Sequence, residues 1–598
     1  MSSLVAYVGP LPAKEARATL AAMHRASATA PGQGSQLNLD ELGVHVQTSR
    51  LQARAPSAAP LLIDTGHSFL TMIGQVDLGA SNDAADRLNE LAAAWHSGDR
   101  PGFMSRLLTL NGTYAGVVVD RRTGRTAIFN DRFGVQRLFA RFTSTGVCVA
   151  SCARGVIAGH PEPTSIDRRG LAQMVVCGCT LSGTSLFTGI QVLPPAQVLF
   201  LEPDGAIERR TYFDRRDWED QNALEPETFA AQFSVEFARA TMRQLQDVDA
   251  ALSLTGGLDS RMVLSVANAA RRTLPCYSFG GPVREPFDVR IGRELAHRCE
   301  VPFEALSLDA GFARSADTWF ERSVWISDGY IGLPGAAELY VNTLASRIAP
   351  VRITGNYGSE ILRGARAVGA SLKRVAVLCP DLRADAAEAH AEFGEIARWH
   401  PVSFAAFHQA PDHGYGRRAV ETSQVVTTTP FLDNEIVRLV YQAPPAMDGT
   451  ALSVRVINDH SPQLLDVPTD RGLLGRGWSA RRYLLRFWRE VTFKAEYLAN
   501  TGMPDLLTRR PRLRRVMGVE SRLLGRHKFY HLRALLRNDL EPYVRDTLCG
   551  SDLPAYLERT RVRAMVDEFY SDRQNHASNI DLALTLTVAT RSLLSQPC

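Results

Sequence analysis

Residues 253–260 read Ser-Leu-Thr-Gly-Gly-Leu-Asp-Ser, a set suited to holding phosphate. Thr255 and Ser260 carry hydroxyls that can donate to phosphate oxygens. Gly256 and Gly257 allow a tight turn whose backbone N–H groups point at one place. Asp259 can hold a cation that offsets the phosphate charge. The turn joins an apolar run, Val248 to Leu254, to a helix-like stretch from Ser260 to Ala270. A helix starting there adds about half a positive charge to the same spot. An ordinary tight turn uses the same residue types. The pattern is not the Walker type, because no Gly-Lys-Ser/Thr follows.

The elements around this turn alternate. Val248–Leu254, Leu274–Phe279, Phe303–Leu308 and Val351–Thr354 read as strands. Helices are expected after Ser260, through Asp288–Cys299 and near Ala336–Arg347. Such alternation predicts a parallel sheet with helices on both faces, and ligands then sit beyond the carboxyl ends of the strands. Before this lies a β-rich stretch, with strand-like runs at Phe69–Val76, Tyr114–Val119, Thr126–Phe129 and Val147–Ser151. Asp86 to His96 reads as a helix, and Asp214–Asn222 reads as a charged, irregular linker. Phe229, Phe233 and Phe237 fall at i, i+4 and i+8 and read as core-facing knobs.

At 598 residues the chain holds more than one domain. The expected division is 1–215, 225–475 and a basic helical region over 476–598. From Arg471 to Leu540 there are 17 Lys and Arg against 5 Asp and Glu, so the rest of the chain is net acidic although the whole carries +4. Arg509, Arg510, Arg512, Arg514 and Arg515 fall within seven residues. They could dock an acidic partner, a phosphate-bearing substrate, nucleic acid or a membrane surface, or fold back on the acidic remainder. Tyr483, Phe487 and Trp488, among the arginines of Arg482–Leu498, read as core residues with snorkelling neighbours. No transmembrane segment or signal peptide is expected. The nine cysteines lack zinc spacing and read as reduced thiols of a cytoplasmic protein.

With these pieces in place, the chain resembles the asparagine synthetase family over roughly residues 60–475. Thr255–Ser260 is similar to the family's Ser-Gly-Gly-x-Asp-Ser pyrophosphatase loop. Asn111-Gly112-Thr113-Tyr114-Ala115 and Asp131-Arg132-Phe133-Gly134-Val135 are similar to its first-domain segments. Thr354-Gly355-Asn356-Tyr357-Gly358-Ser359-Glu360 resembles its Thr-Gly-Glu-Gly-Ala-Asp-Glu, and Phe287-Asp288 and Pro430-Phe431-Leu432-Asp433 resemble further stretches. The resemblance implies an α+β first domain, a β-sandwich of the N-terminal-nucleophile type, then an α/β parallel-sheet synthetase domain with a helical C-terminal extension. It implies an enzyme that uses ATP and Mg²⁺ to activate a carboxylate as an acyl-adenylate and pass it to an amine. Leu254, Thr255, Gly256, Gly257, Asp259, Ser260, Phe279 and Gly355 would hold the nucleotide, with Asp259 on the metal. Asp288 matches a family acidic position or serves as a helix-start carboxylate.

Several positions depart from the family. Ser2 stands where the family has its nucleophilic cysteine, and Ile73-Gly74-Gln75 replaces Asn-Gly-Glu. A hydroxyl without a companion base is a poor nucleophile, and loss of an oxyanion donor costs about 10²–10³ in rate. The first domain is therefore expected not to hydrolyse glutamine. Asn356 replaces a glutamate and Ser359 a metal-binding aspartate, while Glu360 is retained. Arg471 stands near the family's lysine and is the candidate cation for the adenylation transition state. The expected partners are a carboxylate and an amine acceptor, as in lasso-peptide cyclases (where the substrate is a precursor peptide) and β-lactam synthetases. A sugar-linked carboxylate, or a catalytically dead nucleotide-binding scaffold, remain alternatives.

Overall fold

The computed structural model describes residues 2–29, 34–49, 61–77, 81–282, 284–445, 447–472, 487–496 and 525–594. Its first part holds two six-stranded sheets. One is built from Ser3–Val8, Gln36–Leu39, Val44–Ser49, Phe139–Thr143, Gly146–Ala150 and Gln191–Val192. The other is built from Leu61–Asp64, Ser68–Asp77, Asn111–Asp120, Thr126–Asn130, Gln197–Leu201 and Ile207–Thr211. Every pairing within them is antiparallel.

Successive strand residues point to opposite faces, and here both faces are covered. Leu4 and Ala6 share a core with Phe69, Val117 and Ile128 of the other sheet. Their neighbours Val5 and Tyr7 pack with Ala16, Leu20 and Met23 of the helix Ala13–Ser27. On the far side, Trp95 of the helix Ser81–Ser97 stacks on Phe200 at 5.4 Å, and Phe103 meets Phe129 edge-on at 5.8 Å. Helix, sheet, sheet and helix thus form successive layers.

The later part holds a five-stranded parallel sheet, ordered Phe303–Ser307, Cys276–Gly280, Ala250–Ser253, Val351–Thr354, Val426–Thr428. The first four are the expected strands; the fifth is too short and too polar to read as one in the sequence. Helices Leu532–Asn538, Glu541–Cys549, Arg559–Tyr570 and Ala577–Leu594 follow. No helix among the described residues is long and apolar enough to cross a membrane. Cys148, Cys152, Cys177, Cys179 and Cys276 are buried free thiols.

Two expectations are corrected. Residues 214–222 are not a loose linker: Arg216–Glu219 is a helical turn, and Trp218 is buried against Phe213, 4.6 Å between ring centroids. The charges that suggested a linker surround one large apolar anchor. Phe487 and Trp488 are not core residues but are 61% and 55% exposed. Tyr483, with the rest of 482–486 and 497–498, and the cluster Arg509–Arg515 lie outside the described residues.

The two parts are joined by buried polar links. Arg154 Nη1 donates to Asp328 Oδ1 at 3.0 Å with both side chains buried, and Ala153 N donates to Asp328 Oδ2 at 2.7 Å. Arg137 Nε donates to the Pro411 carbonyl at 3.0 Å, and its guanidinium lies over the Tyr415 ring. Asn111 Nδ2 donates to Asp433 Oδ2 at 2.7 Å. The three phenylalanines at 229, 233 and 237 are fully buried, as their spacing predicts, in a core that also takes in Trp95, Phe133 and Leu252.

Candidate active site

Strand registry brings the sequence-marked loops together. Ser253 pairs with Tyr277 on one side and Thr354 on the other, so the chain leaves all three strands at one edge. Leu254 is buried there, its N–H on the Tyr277 carbonyl at 2.8 Å. The turn at Thr255 to Leu258 follows, then the helix Asp259–Ala269, which has no side-chain cap. Its first N–H groups stay available at the positive end of the dipole.

The turn is held by side chains from other segments. Gly256 N donates to Asp288 Oδ1 at 2.8 Å, and its carbonyl accepts from Arg261 Nη2 at 3.2 Å and Asp470 N at 3.2 Å. Arg261 is buried, spans from the turn to the carbonyls of Leu464 and Val467, and is pulled down to about 10 by that burial. Asp288 does not cap its own helix, Phe287–Arg298; it pins the turn instead. Burial and the nearby Asp470 charge push its carboxyl up to about 7, against the lowering effect of the Gly256 N–H. Thr255 Oγ1 and Ser260 Oγ share a hydrogen bond of 3.0 Å, and Ser260 Oγ also accepts from Thr255 N.

The second loop presses on the first. A Cβ at Gly355 would lie 2.4 Å from Ser260 N, and one at Gly358 would lie 2.5 Å from Asp259 Cγ. Only glycine permits that approach. Tyr357 between them takes a left-handed backbone, φ 69°. Asp259 accepts from Arg363 Nη2 through both oxygens, at 2.6 and 2.7 Å, and from Ser359 Oγ at 2.9 Å. Arg363 also donates to Ser359 Oγ at 2.6 Å. Glu360 accepts from Gln409 Nε2 at 3.1 Å, and burial followed by the Asp259 charge raises its pKa.

These loops open into a cavity of about 1090 Å³. Thr255, Gly257, Asp259, Ser260, Phe279, Asp288, Gly355, Asn356, Ser359 and Glu360 line it. Phe279 lies between Phe529, 5.4 Å between centroids, and the Arg352 guanidinium, 5.1 Å from its ring. Arg352 is a charge buried in a strand; Asn342 and Ser253 accept from its guanidinium and Glu421 lies 3.5 Å away. Leu254 and Gly256 sit behind the wall. Arg471 is exposed, its guanidinium 4.3 Å from the Phe493 ring centroid, and it is not among the lining residues.

Sequence reasoning missed Arg363, Arg261, Asp470 and Arg352. Arg363 had a readable signal, since it falls four residues after Ser359 on one helix face. The others are brought in by tertiary packing alone.

Residues 98–213 match the model of a glutamine amidotransferase domain. Over 256 residues the chain is 22% identical to asparagine synthetase [glutamine-hydrolyzing] 1 of Bacillus subtilis (strain 168), covering 43% of this chain and 40% of the relative. The chain therefore spans about two fifths of that relative's length. Two solved structures were also found. One, a glutamine phosphoribosylpyrophosphate amidotransferase from B. subtilis complexed with ADP and GMP, is 11% identical with a TM-score of 0.23, covering 52% of this chain and 67% of that one. The other, described as the allosteric regulatory enzyme of purine biosynthesis, is 9% identical with a TM-score of 0.24, covering 51% and 81%. Scores that low carry no argument about this chain. Residues 98–213 are thus similar to a glutamine amidotransferase domain, and the B. subtilis relative adds a similarity to an asparagine synthetase over 256 residues.

Proposed function

We propose that this chain is an ATP-dependent amide-forming ligase. The observation that carries the reading is the turn at Thr255 to Ser260, clamped from behind and opening, with an uncapped helix, into the large cavity. A nucleotide triphosphate fits that mouth, its outer phosphates on the turn and its base toward Phe279 and Gly355. A substrate carboxylate oxygen attacks the α-phosphorus, the bond to the β-phosphate breaks, and pyrophosphate leaves on the turn. An amine then attacks the acyl carbon, the bond to AMP breaks, and the amine gives up a proton. Glu360 takes that proton in this reading, which its raised carboxyl pKa supports, since it makes a better base. Arg471 serves as the adenylation cation only if its side chain leaves Phe493.

The residues present do not form a ready-made magnesium site. Asp259 has both oxygens on Arg363, the second ligand position is a serine, and the described residues hold no cluster of three or more metal-ligating side chains.

Ser2 and Ile73-Gly74-Gln75 support a reading in which the amine belongs to a substrate and is not released from glutamine. A peptide cyclised to a macrolactam fits, as does a sugar-linked carboxylate. Exchange of labelled pyrophosphate into ATP, driven by a panel of carboxylates, tests the proposal. The expected result is exchange with at least one carboxylate, abolished by Asp259→Asn. Nucleotide binding that is indifferent to substitutions at Thr255, Gly257 and Ser260 would remove the basis for the reading.

A further inference from the structure

The cavity also has a basic wall, beside the loop of Tyr357 and Glu360. There Lys373 and Arg374, on the short helix Leu372–Val377, meet His413, Arg417 and Arg418 from the chain around residue 415. A Cβ built on Gly178 would lie 3.6 Å from His413 Nε2 and 3.9 Å from Arg374 Nη1, so three distant segments converge at one place. Arg417 has Glu338 at 3.7 Å, and Arg418 donates to Thr113 Oγ1 at 2.7 Å. None of Lys373, Arg374 and Arg418 lies within salt-bridge distance of a carboxylate among the described residues. Asp581, an acid whose charge reaches Arg374, accepts from the Leu333 N–H at 2.7 Å.

Arg374 and Arg418 are half-buried without a direct ion pair, and with the exposed Lys373 and Arg417 they gather positive charge on one wall, which favours an anion that enters. The cations at the glycine turn behave differently: Arg363 is paired with Asp259, and Arg352 with Glu421. The space also exceeds what a single small ligand occupies, about 300–1,000 Å³ for ordinary ligand pockets. We propose that this basic wall seats an anionic group of the acceptor or donor substrate, a carboxylate or a phosphate, apart from the nucleotide. Describing the ligand as a substrate rests on the ligase reading; the anion site itself does not. The substrate class is then one that carries a second negative charge besides the reacting carboxylate.

Calorimetric titration of the full chain with inorganic phosphate and, separately, with succinate tests this, with and without a saturating non-hydrolysable ATP analogue. At least one anion is expected to bind, with an affinity that the analogue changes less than twofold. The preferred probe tells phosphate from carboxylate recognition. Combined Lys373→Ala and Arg374→Ala should weaken anion binding at least tenfold and leave analogue binding within twofold. Lys373→Glu, at an exposed position, gives the same readout should the double variant fold poorly. The proposal is overturned if neither anion binds, if the analogue displaces the anion, or if the substituted proteins bind it as before. Anion binding lost in the variants with no analogue binding to the parent protein supports the basic wall and refutes the ligase reading.

Discussion

The Asp288→Asn substitution should stabilise this protein, and only above acidic pH. In the folded chain burial and the Asp470 charge push the Asp288 carboxyl from 3.8 to about 7. The folded state therefore keeps a proton that the unfolded chain releases, and stability falls as pH rises between those two values. A shift of that size corresponds to about 4 kcal/mol at 1.36 kcal/mol for each pKa unit. Asparagine cannot ionise, yet its side-chain oxygen still accepts the Gly256 N–H that Asp288 holds at 2.8 Å. The variant thus escapes the loss. With an unfolding entropy of about 2.1 cal/mol/K for each residue, 598 residues convert 4 kcal/mol into about 3 °C. Thermal melts of parent and variant from pH 4 to pH 8 should show a gap that opens from near zero to about that value and is flat above pH 7. Other carboxyls titrate in both proteins and cancel in the difference. A gap that is constant across the range, or one of opposite sign, would show that Asp288 is not held proton-bearing behind the turn.

Other outcomes follow from the same contacts. Gly358→Ala places a Cβ 2.5 Å from Asp259 Cγ, so the loops must part; overpacking of this kind costs about 1–3 kcal/mol, and nucleotide affinity should fall about tenfold or more by equilibrium titration. Combining Arg363→Ala with Ser359→Asp removes the internal cation and adds a carboxylate, and paramagnetic resonance should then detect Mn²⁺ binding without nucleotide at concentrations where the parent protein binds none. Purified protein should release no glutamate from glutamine above background, and Ser2→Cys alone should not restore release, because Ile73 stands where the oxyanion side chain would be. Asp328→Ala strands Arg154 in the interior and should cost about 3–5 kcal/mol, read as a lowered melting temperature.

Local pattern revealed what local forces decide. The strand at Ala250–Ser253, the helix after the glycines and the buried ladder Phe229, Phe233, Phe237 each follow from periodicity, because each is fixed by which face meets the core. The glycines at 355 and 358 were visible as a motif, and the close approach they allow explains why that loop belongs beside Asp259. Side-chain pairing was not legible. Arg363 reaches Asp259 from 104 residues away, and Asp470 reaches Gly256 from a segment read only for its arginine. The basic wall joins residues near 178, 374, 413 and 418, which no spacing rule connects. Trp218 shows the opposite failure: a charged neighbourhood hid an apolar anchor whose burial depends wholly on Phe213 and its surroundings.

The Arg154–Asp328 pair has a consequence for the history of the molecule. A shortened descendant lacking the first 215 residues would keep Tyr415 Oη on Asp328 but lose its Arg154 and Ala153 partners, and would bare the flank where Phe133 meets Phe407. The amino-terminal region thus buttresses the remainder through these contacts, whatever chemistry it performs itself.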